Sequence, residues 1–203
     1  IGLPVGVVSA IRFSRASDRL LMSAAFLLQS LPSFWTGLTL ILVFSVTWNL
    51  LPSTGYASLG EGAGAHLRHL VLPAVALGLG QAALIARMAR SSLLEVLGQD
   101  YVRTADAKGL SRPVVVVKHA LRNALIPVVT VVGLSFAVLL AGAIVIETVF
   151  NLPGVGRLVM QSILRRDYPV IQGVILFIAT TYVVINLAVD LVYGLIDPRV
   201  GRR

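Results

Sequence analysis

The residues here that could do chemistry are few, and their spacing builds no reaction centre. His66, His69 and His119 are scattered, without the spacing of a zinc or haem site. There is no cysteine, which excludes disulfides and thiolate metal ligands. Glu147 and Asp167 lie in a loop with no pocket signature around them, so they do not read as a catalytic pair. Gly78 and Gly80 fall inside an apolar run, so they form no dinucleotide loop, and no GxxxxGK[ST] phosphate loop occurs. Nothing here points to an enzyme, to a metal, or to a cofactor held by these residues. Charge is what is concentrated. Between Arg87 and Arg122 stand Arg87, Arg90, Arg103, Lys108, Arg112, Lys118 and Arg122, opposed only by Glu95, Asp100 and Asp106. The chemistry this segment can offer is ion pairing and docking.

The surroundings of that segment explain its position. Of the 203 residues, 57% are hydrophobic and 13% charged. A soluble domain of this size does not hide so much apolar surface, so the composition implies an integral membrane protein. Charge-free runs cover Leu20 to Gly60, His69 to Ala86, Asn123 to Ile146 and Tyr168 to Val189. Each is long enough to cross a hydrocarbon core, which takes roughly 20 residues of helix. The expected architecture is an all-α polytopic membrane helix bundle, with full spans near 22–51, 69–88, 121–147 and 168–192. Residues 1–11 are apolar but supply only about half a span. Together with the initial Ile, this suggests that the rest of that span lies upstream. A signal-peptide core fits less well, because a basic leading region and a small-residue cleavage site are absent.

The basic residues also predict an orientation. Loops on alternate sides of the four spans hold thirteen and four Lys or Arg residues. The positive-inside rule puts the thirteen, including the 87–122 segment and the C-terminus, in the cytoplasm. The basic excess therefore faces the inner leaflet, not nucleic acid. Small residues (Gly78, Gly80, Ala82, Gly133, Ala137, Ala141, Gly142) suit close helix packing. Pro32, Pro73 and Pro127 are candidate kinks.

Within the basic segment the spacing is helical from Ser91. Leu93, Leu97, Tyr101 and Ala105 recur every four residues, and Glu95, Gln99, Arg103 and Asp106 lie opposite. Gly98 marks a bend between two short helices. Gly109 after Lys108 is a helix stop, and Ser111 followed by Pro113 is a cap and first turn that lead back to the membrane at Asn123. A short helix held between two spans is a lever for a partner. A flat helix on the inner leaflet, with its basic residues on lipid phosphates, is the other reading of the same spacing.

The string Tyr101-Val-Arg-Thr-Ala-Asp-Ala-Lys-Gly-Leu-Ser111, followed by His119-Ala-Leu-Arg-Asn-Ala-Leu-Ile-Pro127, resembles the cytoplasmic signature of ABC importer permeases. The likeness is to the dipeptide/oligopeptide/nickel branch. The general pattern of Glu-Ala-Ala, three residues and Gly is represented by Arg103, Thr104, Ala105 and Gly109, so its Glu and first Ala are replaced. Leu31 to Trp35, Glu147 to Arg157, Arg166 to Gln172 and Asp190 to Arg199 resemble other stretches of the family, and the likeness covers essentially all 203 residues.

The resemblance implies a type I ABC importer transmembrane domain, lacking its first span, with a coupling segment at 91–118. It implies half of a translocation pathway in the bacterial cytoplasmic (inner) membrane. The implied partners are a second homologous permease in a heterodimer, two ATPase subunits carrying ATP and Mg, and an external substrate-binding protein. The implied ATPase-coupling residues are Leu97, Asp100, Tyr101, Arg103, Thr104, Ala105, Asp106, Lys108, Gly109 and Leu110. Peptides are the implied cargo, with nickel or another small solute as alternatives. A secondary transporter needs ionisable residues at mid-membrane, which the runs do not offer. Glu147 is expected either to line an external gate or to bond the turn at Asn151–Gly156. Asp190 is expected to pair with Arg199 or a basic residue of the coupling segment, or to remain an interfacial charge.

Overall fold

A computed structural model describes residues 1–196, with side chains placed through Val192. Helices are the only regular secondary structure among the described residues. They are α1 (Gly2–Ile11), α2 (Ala16–Ser30), α3 (Ser33–Leu40), α4 (Ala63–Leu97), α5 (Asp100–Ala107), α6 (Arg112–Val114), α7 (Leu121–Val149), α8 (Val155–Arg165) and α9 (Tyr168–Ile196). A π-helical turn at Ile41–Thr47 extends α3, and another at Val115–Ala120 joins α6 to α7. Among the described residues, three helices are long and apolar enough to cross a membrane: Ala63–Leu97, Arg112–Val149 and Tyr168–Val192.

The stretch expected as one span near 22–51 is two helical pieces, Ala16–Ser30 and Ser33–Thr47, bent by 104°. Pro32 is the cause. Its backbone is extended (φ −60°, ψ 139°) at the N-cap of α3. Proline has no N–H for the α2 ladder and turns the preceding residue away from helical angles. The freed Pro32 carbonyl accepts hydrogen bonds from the Thr36 N–H at 3.0 Å and its hydroxyl at 3.2 Å. Pro73 and Pro127, by contrast, sit inside α4 and α7, which continue through them.

The helix expected from Ser91 through Ala105 is also divided differently. Leu93 and Leu97 belong to the end of α4, whereas Tyr101 and Ala105 belong to α5. The bend does fall at Gly98, but what precedes it is the end of a 35-residue helix. At about 1.5 Å per residue such a helix is roughly 50 Å long, well beyond a hydrocarbon core of about 30 Å.

The chain forms two compact units. The first comprises Ile1–Leu28, Gln81–Ser135 and Val184 onward. Its core is Ala10, Leu93, Val96, Val102, Ala105, Val115, Val116, Ala120 and Ala124, drawn from α1, α4, α5 and the helix Arg112–Val149. The second comprises Gln29–Gly80 and Phe136–Val183. Leu72, Ala76, Ile146, Phe150 and Leu152 form its core. Gly37 lets α3 approach it, since a Cβ there would stand 3.1 Å from the Phe150 ring. Large apolar side chains point outward on α9, with Leu176 69% and Phe177 59% exposed. That outward face suits lipid or another membrane helix rather than water.

Candidate functional site

The last turn of α4 closes at Gly98, whose N–H donates to the Glu95 carbonyl at 3.2 Å, while Gln99 donates to Val96 at 3.1 Å. Gln99 then adopts extended angles (φ −79°, ψ 151°) and starts α5. In α5 the three-residue spacing puts Val102 and Ala105 on one face, where they are 0% and 6% exposed in the first unit's core. Asp100, Arg103, Thr104 and Asp106 are left outward. Of the expected docking residues, Ala105 is therefore packing, and Leu97 is half-buried against the same core. The outer surface is made by Asp100, Tyr101, Arg103, Thr104, Asp106, Lys108, Gly109 and Leu110, all exposed.

The surface is polar without being tied up in strong pairs. Arg103 and Asp100 approach to 3.9 Å with both side chains largely in solvent, a pair that contributes little. Asp106 and Arg112 face each other at 3.4 Å across the turn. The Thr104 hydroxyl donates to the Asp100 carbonyl at 2.9 Å, back along its own helix. These groups keep most of their hydrogen-bonding capacity unused within the chain.

Local geometry shapes the turn after α5. Lys108 N–H donates to Thr104 and Gly109 N–H to Asp106, at 3.1 and 3.0 Å. Gly109 has φ +78°, the left-handed conformation that ends helices and favours glycine. Ser111 takes the N-cap position of α6, but its hydroxyl makes no capping bond. Pro113, at the second helical position, removes one of the two N–H groups an N-cap oxygen normally reaches. Beyond it, the helix runs unbroken from Arg112 to Val149.

Two side-chain links tie this segment to the re-entering helix. Tyr101 Oη accepts from Asn123 Nδ2 at 2.7 Å and donates to the His119 carbonyl at 3.4 Å. Buried Ser92 donates to the Ala124 carbonyl at 2.9 Å. The end of α4, α5 and the start of the helix Arg112–Val149 are thus one packed piece.

Glu147 is folded back onto the loop that follows α7. Its carboxylate accepts the Arg157 N–H at 2.8 Å, and its carbonyl accepts the Leu152 N–H at 2.8 Å. Arg157 also hydrogen-bonds Asn151, whose φ is +54°. Gly154 and Gly156 leave the room: a Cβ on Gly154 would stand 2.1 Å from the Glu147 carboxylate. This is the turn-bonding arrangement, and it commits the carboxylate to the Asn151–Arg157 loop. Asp190 is exposed on α9, and Arg199 lies outside the described residues.

Sequence reasoning missed one buried cluster. Asp18, at the start of α2, is 2% exposed and binds Arg90 of α4 in a bidentate pair at 2.7 and 2.8 Å. The two are 72 residues apart, and no local pattern links them. No group of three or more His, Cys, Asp or Glu able to hold a metal is found among the described residues.

The family model described as "Binding-protein-dependent transport system inner membrane component" matches residues 2–202. The chain is 45% identical to the dipeptide transport system permease protein DppB of Escherichia coli, over all of this chain and 67% of that protein. It is 46% identical to a di/tripeptide transport system permease protein of Pseudomonas aeruginosa, over 98% of this chain and 65% of the relative. A putative peptide transport system permease protein of Brucella abortus is 47% identical, over 98% of this chain and 64% of the relative. The chain thus spans about two thirds of the length of these relatives.

Proposed function

The chain belongs to the family of binding-protein-dependent transport system inner membrane components, and from that premise we propose that it forms half of the translocation pathway of an ATP-driven peptide importer. A multi-pass, non-catalytic membrane component is what the family and the apolar helices establish. The peptide cargo is taken from relatives named as dipeptide, di/tripeptide and peptide permeases. A second permease completes the pathway, two ATPase subunits hold ATP and Mg, and an external binding protein delivers the peptide. The basic loops and the C-terminus face the cytoplasm, in keeping with the uneven distribution of Lys and Arg.

One observation carries the coupling role. α5 buries Val102 and Ala105 in the core that also holds Leu93 of α4 and Val115 of the helix Arg112–Val149, while its charged face points outward. A partner gripping the outer face through Asp100, Arg103, Asp106 and Lys108 therefore moves the ends of two long apolar helices together. Leu110 beside Gly109 is 40% exposed and gives that face an apolar contact. Closure of the ATPase subunits would pull on α5, and the attached helices would change which side of the pathway is open. A flat helix lying on lipid fits less well, because α5 is only eight residues long and its apolar face is already buried against the protein.

The test is co-purification with the ATPase subunit together with ATP-driven peptide uptake in vesicles. Arg103→Glu with Asp106→Lys and Gly109→Pro should abolish uptake and weaken assembly. Assembly and uptake both unchanged in that variant would remove α5 from the coupling role.

A further inference from the structure

The buried cluster around Asp18 is used by none of the steps above, and it is built more carefully than helix packing requires. Asp18 accepts from Arg90 Nε and Nη2 at 2.7 and 2.8 Å, from the Ser14 N–H at 3.0 Å, and from the Ser9 hydroxyl. Ser9 is 0% exposed. Ser14 sits at φ +62°, which aims its N–H at the carboxylate from within the α1–α2 turn. The Arg90 guanidinium also lies over the Phe13 ring, 5.3 Å from its centroid. One carboxylate thus gathers the end of α1, the turn after it, the start of α2 and the C-terminal part of α4.

The same helices are joined along their length. Gly2 and Gly6 of α1 rest on the α4 backbone: a Cβ would come within 2.4 Å of the Ala82 carbonyl oxygen at Gly2 and 2.3 Å of the Ala86 carbonyl oxygen at Gly6. Small residues at this spacing let membrane helices touch backbone to backbone. Ala10, one turn further on, lies in the cluster that holds Val102 and Ala105 of α5. The contact between α1 and α4 therefore runs from Ala82 to the core beneath the coupling surface.

Burying the Asp18 carboxylate costs desolvation energy, which offsets part of its attraction to Arg90, whose side chain is 24% exposed. What a bidentate pair supplies is geometry: two parallel hydrogen bonds resist the sliding and rotation that an apolar contact permits. We propose that Asp18 and Arg90 are positioning residues for energy coupling, a strut that makes the α1–α2 turn and the start of α2 move with the end of α4. Through it, a displacement applied at α5 reaches α2 as well as the helices that flank α5 directly. This role rests on the coupling function proposed for α5.

The experiment uses the complete transporter, with its ATPase and binding-protein partners, in proteoliposomes. ATP hydrolysis and peptide uptake are measured on the same preparations, normalised to assembled complex. In Asp18→Asn, and in Arg90→Lys, which keeps the charge but loses the fork, ATP hydrolysis should stay within about twofold while uptake per ATP falls about tenfold. Asp18→Arg with Arg90→Asp should recover part of the loss. Arg90→Lys serves alone if Asp18→Asn fails to assemble. Uptake per ATP unchanged in the assembled variants, whether or not the two activities fall together, overturns the strut. A wild-type transporter showing no ATP-driven uptake would overturn the importer reading itself, a result separable from both.

Discussion

At the residue scale the loop after α7 gives a sharp test of how Glu147 is used. The carboxylate occupies the space a side chain at position 154 would need, and it bonds the backbone of Arg157. Gly154→Ala must push the carboxylate out of the turn, at a cost of about 1–3 kcal/mol typical of overpacking. Glu147→Ala loses the bond to Arg157 but removes the obstruction, so the double variant should lose less than the sum of the two single ones. Thermal inactivation in detergent measures all three. Strict additivity would mean that the carboxylate does not sit against Gly154. The same residue shows where reading the sequence reached its limit. Glu147 could be placed near the end of a span, but the direction of its side chain depended on glycines whose function is to leave space. Asp18 and Arg90 were out of reach for another reason: 72 residues separate them, and each alone resembles an ordinary charge at a helix end.

At the element scale the turn at Gly109 sets the shape of the surface proposed for coupling. Its φ of +78° disfavours any L side chain, yet nothing lies within 4 Å of where a Cβ would be. Substitutions there test backbone conformation without steric interference. Gly109→Ala should destabilise the segment by about 1–2 kcal/mol, Gly109→Asn by less, because Asn tolerates the left-handed region, and Gly109→Val by the most. Uptake should fall in the same order, read in vesicles at matched expression. Equal behaviour of Asn and Val would show that the turn conformation does not matter. This stop was legible because glycine after a basic residue is a local signal. The charge-free runs of α4, α7 and α9 were legible for the same reason. The continuation of α4 to Leu97 was not, because Arg87 and Arg90 end the charge-free run. Tertiary packing overrode them: Leu93 and Val96 are buried in the first unit's core, and Ser92 reaches the Ala124 carbonyl. Pro32 reads as a candidate kink, but so do Pro73 and Pro127, through which α4 and α7 continue, so proline alone does not single out the break. The π-helical turns have no sequence signature that single residues reveal.

At the scale of the whole molecule, the long helices and the uneven charge make one statement about orientation. Arg68 lies toward one end of α4 and Arg87 and Arg90 toward the other, with an uncharged stretch between them. A helix of that pattern has two distinguishable ends, and the positive-inside rule assigns Arg87 and Arg90 to the cytoplasm. Every loop after it then alternates, so one labelling experiment fixes all of them. The 203 residues contain no cysteine, so single cysteines can be introduced against a blank background within them. Gly60 and Gln161 are exposed in segments expected outside, and Lys108 is exposed beside the turn at Gly109. In intact cells an impermeant maleimide should label Gly60→Cys and Gln161→Cys. Lys108→Cys should react only after the membrane is opened, and ATPase subunits should then protect it. The opposite pattern would put α5 on the side without ATP and end its assignment as a coupling element. Labelling of Gly60→Cys and Gln161→Cys from opposite faces would instead mean that the count of crossings between them is wrong.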